Sequence, residues 1–172
     1  MGKTTLLRQV ISEIPVSAGG FFTEEVRVLG KRVGFDIVTL DGQRAPLARE
    51  GWPSPYRVGR YGVDRDALEG VGVAALQRAL ERRRLLVVDE IGKMEMCSGA
   101  FLRVIEEALQ QGVPLLGTIM AAPHPFADKV KSLPGVGVLP VLPSSREQVQ
   151  EQVRRWVNAL REGGEGTAHP GG

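Results

Sequence analysis

Leu85-Leu86-Val87-Val88-Asp89-Glu90 is the stretch that decides the fold. Four apolar residues in a row, ended by two acids, read as a short strand buried on both faces. Strands of that kind belong to parallel sheets. A helical pattern precedes it over residues 64–84, where Ala67, Leu68, Val71, Ala75 and Leu76 form an apolar stripe interrupted by Gly70 and Gly72. Another helix follows over residues 98–111, with Phe101, Leu102, Ile105 and Leu109 on one face and Gly112 closing it. Residues 113–119 give the next buried strand, 126–133 a short helix and 137–142 a further strand. Ser144-Ser145 opens a last amphipathic helix to about residue 160, with Ser144 and Glu147 spaced as a capping box. Strands alternating with helices predict an α/β fold with a mainly parallel sheet and helices on both faces.

The chain upstream follows a different pattern. Leu6, Leu7, Val10, Ile11 and Ile14 recur at helical spacing directly after Met1-Gly2-Lys3-Thr4-Thr5, and Pro15 ends the run. Two β-rich stretches, 21–29 and 32–40, flank Gly30-Lys31, which reads as a hairpin turn. Residues 45–47 continue the meander, and 56–63 is short and extended. This is an antiparallel insertion near the N-terminus. The expected organisation is one domain over residues 1–162 and a disordered Gly-rich tail over 163–172.

The 172 residues fit a single core, with 42% apolar and 24% charged residues. A net charge of +2 leaves a weak electrostatic footprint. The one dense basic run, Arg82-Arg83-Arg84, is too short to argue for a nucleic-acid face. Cys97 is the only cysteine, so no disulfide forms within the chain, which suits a reducing compartment. No stretch reaches the roughly 18 apolar residues of a membrane span, and the N-terminus has no apolar signal core. A cytoplasmic monomer without nucleic-acid or membrane partners is expected.

Gly2-Lys3-Thr4 matches the last three positions of the phosphate-binding loop G-x-x-x-x-G-K-[ST]. In that loop backbone N–H groups wrap the phosphates, the Lys neutralises their charge, and the hydroxyl ligates Mg²⁺. Alone the triplet is weak, since an ordinary helix N-terminus looks the same. Asp89 strengthens it, because an Asp at the end of a buried strand holds magnesium in such enzymes. Mg²⁺ takes oxygen ligands and keeps several waters. Glu90 is then placed to orient or deprotonate a water aimed at the γ-phosphate. The plainer account of the two acids is a solvated pair at a strand end; the two motifs in one chain favour chemistry. Lys93 either pairs with Glu90 or Glu95 or contacts phosphate. Arg57 and Arg60, flanked by glycines, are candidates for a cation on the leaving phosphates, equally compatible with a solvated strand edge. His124 and His169 lack metal-ligand spacing.

These segments together resemble the cancer-related nucleoside-triphosphatase family, a P-loop group. The matching strings are Gly20-Phe21-Phe22-Thr23-Glu24-Glu25-Val26-Arg27, Arg32-Val33-Gly34-Phe35-Asp36, Tyr56-Arg57-Val58-Gly59 with Tyr61-Gly62-Val63-Asp64, Val87-Val88-Asp89-Glu90-Ile91-Gly92-Lys93-Met94-Glu95, and Gly117-Thr118-Ile119. The resemblance implies a RecA-like P-loop core carrying a β-rich insertion. It implies Mg²⁺-dependent hydrolysis of ATP, GTP and other nucleoside triphosphates to the diphosphate and phosphate. Lys3 matches the loop lysine, Thr4 the magnesium threonine, Asp89 the magnesium aspartate and Glu90 the water-activating acid, with Gly2 and Thr5 beside the phosphates. It also implies a strand and the first half of the loop before Gly2, with that strand lying next to residues 85–89. Their absence from the sequence reads as a fragment, an alternative start or an incomplete gene model. Two other functions compete: a P-loop kinase acting on a nucleotide or small molecule, and an inactive nucleotide-binding remnant. Glu90 next to Asp89 favours water as the acceptor.

Overall fold

The computed structural model describes residues 2–163. These group into two compact units, residues 18–117 and residues 1–17 with the chain from 118 onward.

In the unit of residues 18–117, β1 (Ala18–Val28) and β2 (Lys31–Thr39) form an antiparallel hairpin. Its turn is Leu29-Gly30, one residue earlier than expected, and Leu29 adopts a left-handed φ of 50° while Gly30 has φ 78°. Positive φ at both central residues gives the turn the twist of the flanking strands. Next come β3 (Arg44–Glu50), β4 (Arg57–Val58) and β5 (Tyr61–Val63), all paired antiparallel. The chain then crosses over through α2 (Arg65–Ala67), a π-helical segment (Leu68–Val73) and α3 (Ala74–Glu81) to reach β6 (Leu85–Ile91). β6 pairs parallel with β1, in the register Ala18↔Leu85 to Phe21↔Val88. A parallel pair needs such a crossover. After a 3₁₀ turn (Glu95–Cys97) comes α4 (Gly99–Gln110), capped by the Ser98 hydroxyl on the Phe101 N–H at 3.0 Å. β7 (Leu115–Ile119) completes a seven-stranded sheet of order β4-β5-β3-β2-β1-β6-β7.

The mixed α/β architecture is the expected one, with two differences. The antiparallel insertion takes up more of the sheet than the patterning indicated, because β1 belongs to both parts: it pairs parallel with β6 and antiparallel with β2. Second, β6 is bordered by β1 on one side and β7 on the other, so no place beside residues 85–89 is left for a further strand.

Leu85, Leu86, Val87 and Val88 are all buried, as their unbroken apolar run requires. Around them pack Phe21, Ile37, Leu76, Phe101 and Ile105, each with no exposure. The two glycines in the expected helix mark the π segment. A Cβ on Gly72 would stand 3.1–3.3 Å from the Phe21 ring, so the wider turn carries the helix directly over that ring.

In the other unit, α1 (Gly2–Glu13) buries Leu6, Leu7, Val10 and Ile14. It packs with α6 (Arg146–Gly163), where Arg154 reaches Glu13 at 2.8 Å. Between them α5 (Pro125–Ser132) starts under a cap from the His124 ring nitrogen, which accepts the Phe126 N–H at 3.1 Å. Residues 137–142, expected as a strand, are irregular. The predicted capping box at Ser144 and Glu147 gives way to a later start at Arg146; the Ser145 hydroxyl accepts the Leu142 N–H at 3.1 Å. The Gly-rich tail lies outside the described residues, apart from Gly163, which ends α6.

Candidate functional site

The two acids that close the decisive strand have opposite surroundings. Asp89 is 2% exposed. Its Oδ2 accepts two hydrogen bonds from Thr23 of β1, 2.8 Å from the backbone N–H and 2.7 Å from the hydroxyl. The parallel register explains the pairing: Phe21 sits opposite Val88, so Thr23 arrives beside Asp89 at the ends of the two strands. One carboxylate oxygen is thereby fixed in place by two donors.

Glu90 is exposed. Its side chain folds back over Gly92, where a Cβ would stand 3.0 Å from Glu90 Cγ and Cδ and 3.1 Å from Oε1. Gly92 therefore makes the space in which the Glu90 carboxylate rests. Lys93 is also exposed, and no ion pair joins it to Glu90 or Glu95 among the described residues.

Glu95 is a third acid in the same stretch, 4% exposed at the start of the 3₁₀ turn. Burial pushes its carboxyl up to about 8, and the charges of Glu90 and Asp89 push the same way, against the backbone amides of residues 95 and 92. Near neutral pH it holds its proton, so the loop carries the charges of Asp89 and Glu90 without a third. Ser98 follows, fully buried, donating to Glu69 Oε1 at 2.8 Å. The neighbouring Cys97 thiol is raised by burial, which disfavours the reactive thiolate.

Gly2, Lys3, Thr4 and Thr5 make the first turn of α1, in the other compact unit. Lys3 and Thr4 are half-buried and Thr5 is exposed. The first turn of a helix presents backbone N–H groups without intrahelical partners, the arrangement that binds phosphate.

Arg57 and Arg60 lie on β4 and the β4–β5 turn, at the edge of the sheet opposite β6 and β7. Arg57 donates to the Trp52 carbonyl at 2.9 Å and Arg60 to the Tyr61 hydroxyl at 3.0 Å. Arg32 donates to the same hydroxyl at 3.0 Å, and the two guanidinium groups hold the Tyr61 phenol below its ordinary range. Within this unit the two arginines are part of the insertion's own network, with β5, β3, β2 and β1 lying between β4 and β6.

Sequence reasoning singled out Asp89 and Glu90 and missed the part played by Thr23. A signal was present: a threonine just after the apolar pair Phe21-Phe22 in a strand able to pair with the Asp89 strand. Nothing in residue spacing alone showed that β1 and β6 are neighbours.

Among the described residues there is no group of three or more His, Cys, Asp or Glu able to hold a metal.

A family profile described as NTPase matches residues 1–154. The nucleoside-triphosphatase THEP1 of Thermotoga petrophila is 43% identical over 153 residues, 89% of this chain and 85% of the relative. The cancer-related nucleoside-triphosphatase of Homo sapiens is 36% identical over 178 aligned positions, 94% of this chain and 93% of the relative. Among solved structures, THEP1 from Aquifex aeolicus superposes with a TM-score of 0.82 at 31% identity, covering 91% of this chain and 92% of that one. The solution structure of the human cancer-related nucleoside triphosphatase gives 0.75 at 35% identity, with 92% and 93% covered. With its likeness running through nearly the whole chain, the protein belongs to the nucleoside-triphosphatase family and is a hydrolase of nucleoside triphosphates.

Proposed function

We propose that this chain cleaves the terminal phosphoanhydride of nucleoside 5′-triphosphates, ATP and GTP among them, releasing the diphosphate and phosphate with Mg²⁺ as cofactor. The observation that carries the proposal is the contrast between buried, doubly bonded Asp89 and exposed Glu90 at the end of one strand. Asp89 and the Thr4 hydroxyl would hold the ion, which neutralises charge on the phosphates when bound. Thr23 keeps the Asp89 carboxylate in one orientation. Glu90, with no hydrogen bond or ion pair among the described residues, accepts a proton from the attacking water and orients it. Lys3, with the N–H groups of residues 2–5, neutralises and binds the phosphates. Lys93 adds a phosphate contact; Arg57 and Arg60 keep that role only as secondary candidates, tied as they are to Trp52 and Tyr61. Residues 1–162 act in this proposal as one cytoplasmic, monomeric domain with nucleotides as its partners. No helix of the described residues is long and apolar enough to cross a membrane.

Phosphate release from Mg·ATP or Mg·GTP with no other acceptor present is the test. Release that stops on chelation of the cation is expected. No release until a nucleotide or small-molecule acceptor is added would replace hydrolysis with a kinase reaction.

A further inference from the structure

The basic run Arg82-Arg83-Arg84 takes no part in the chemistry above, and its three side chains do not share one task. Arg83, in a left-handed conformation with φ 52°, turns to donate to the Gln111 carbonyl at 3.2 Å. Arg82 and Arg84 line a small cleft together with Arg78 of α3. Backbone and small side chains form its floor, from Gly19 and Gly20 at the start of β1 and Ala75 and Ala79 of α3. Neither the Arg82 nor the Arg84 guanidinium has a hydrogen bond or ion pair among the described residues. Arg78 has one loose partner, Asp41 at 3.6 Å, with both side chains well exposed. Asp41 is the acid in the lining, and its carboxylate is already engaged by the Thr39 hydroxyl.

Three arginines and one acid among the lining residues give the cleft a net charge of about plus two. Basic residues after a helix C-terminus are commonly explained by the helix dipole. That accounts for a charge at Arg82, not for two unpaired forks and a third on α3 facing a concave surface. A guanidinium presents its donors in a planar fork that fits phosphate oxygens two at a time. The cleft is small and closed on one side by the β1 backbone, which suits a compact ligand rather than an extended polymer. It lies at the start of β1, whereas Thr23 meets Asp89 three to four residues beyond Gly20 and Gly19, roughly 10–13 Å along the strand at about 3.3 Å per residue. We propose that this cleft, formed by Arg78, Arg82 and Arg84, is a second anion site that takes a compact multivalent phosphate, separate from the Asp89 site.

The test uses the full chain and inorganic pyrophosphate, without divalent cation, in about 0.15 M salt, where the Debye length is about 8 Å. The expected result is a saturable shift of the Arg78, Arg82 and Arg84 Nε–H resonances. The double variant R82Q/R84Q should bind at the cleft at least about tenfold more weakly, since each charged hydrogen bond to phosphate is strong. Asp41→Asn, which removes the opposing acid, should tighten binding. Phosphate release from Mg·ATP should be unchanged in R82Q/R84Q. Shifts confined to residues 2–5, or equal affinity in the wild type and the double variant, would overturn the proposal. Equal binding of citrate would show a general anion surface and overturn the phosphate assignment. A fall in Mg·ATP turnover in R82Q/R84Q would place these arginines in the catalytic site and overturn the claim of a separate one.

Discussion

Asp89, Glu90 and Glu95 show how one short stretch produces three different carboxyl groups. Asp89 is held in place by Thr23, Glu90 stands in solvent over Gly92, and Glu95 is buried and protonated near neutral pH. Thr23→Val removes one of the two donors to Asp89 while keeping the backbone N–H. A hydrogen bond to a charged group is worth about 1.5–3 kcal/mol. We expect stability to fall within that range by urea denaturation, and phosphate release to fall with it. A variant as stable and as active as the wild type would show that the Thr23 hydroxyl does not hold Asp89. For Glu95 the sign follows from linkage. Its folded-state value, about 8, lies above the ordinary 4.5, so the folded chain keeps a proton that the unfolded chain releases between those values. Stability therefore falls as pH rises from 4.5 to 8, by at most about 1.4 kcal/mol per pH unit, and stays at the lower level above 8. Glu95→Gln should flatten that part of the stability–pH curve. An unchanged slope would mean that Glu95 is not the buried acid responsible.

The elements carrying these residues were legible to different degrees. The β6 strand could be read from Leu85-Leu86-Val87-Val88 because continuous burial leaves an unbroken apolar run, and all four residues are buried. The α4 helix was legible from its apolar face and Ser98, which caps it as Phe101 N–H requires. The π segment was not, because Gly70 and Gly72 read only as weak points in a helix; the reason for Gly72 is the Phe21 ring, which reaches it from another element. Residues 137–142 have a strand-like pattern, but a strand also needs a partner, which composition does not supply. Two substitutions probe the crossover. Gly72→Ala sets a Cβ 3.1–3.3 Å from a fully buried ring, and overpacking of this kind costs about 1–3 kcal/mol. Ser98→Ala removes the α4 cap, costing about 1 kcal/mol, and also removes the donor to Glu69. The loss should therefore exceed that of a simple cap. Thermal melts check both, and a Gly72→Ala variant that melts with the wild type would contradict the close packing of the π segment on Phe21.

At the scale of the whole molecule, the chemistry was legible before the geometry. The strings around Asp89-Glu90 and Gly2-Lys3-Thr4 pointed to the family, and relatives sharing the sequence are nucleoside-triphosphatases. The route of the chain was less legible. It depends on β1 serving two sheets' worth of pairing at once, a property of long-range register rather than of local pattern. The same topology separates functions along the sheet: the strand-end acids at β6, and the arginine–tyrosine network of the insertion at the β4–β5 edge. In the proposed reaction Glu90 takes the proton of the attacking water while Asp89 holds the cation. Single-turnover phosphate release by Glu90→Gln, measured beside its affinity for Mg·ATP, tests that claim most directly. Affinity close to wild type is expected, with turnover lower by about 100-fold or more, the size of a general-base contribution. Turnover unchanged at equal affinity would contradict it.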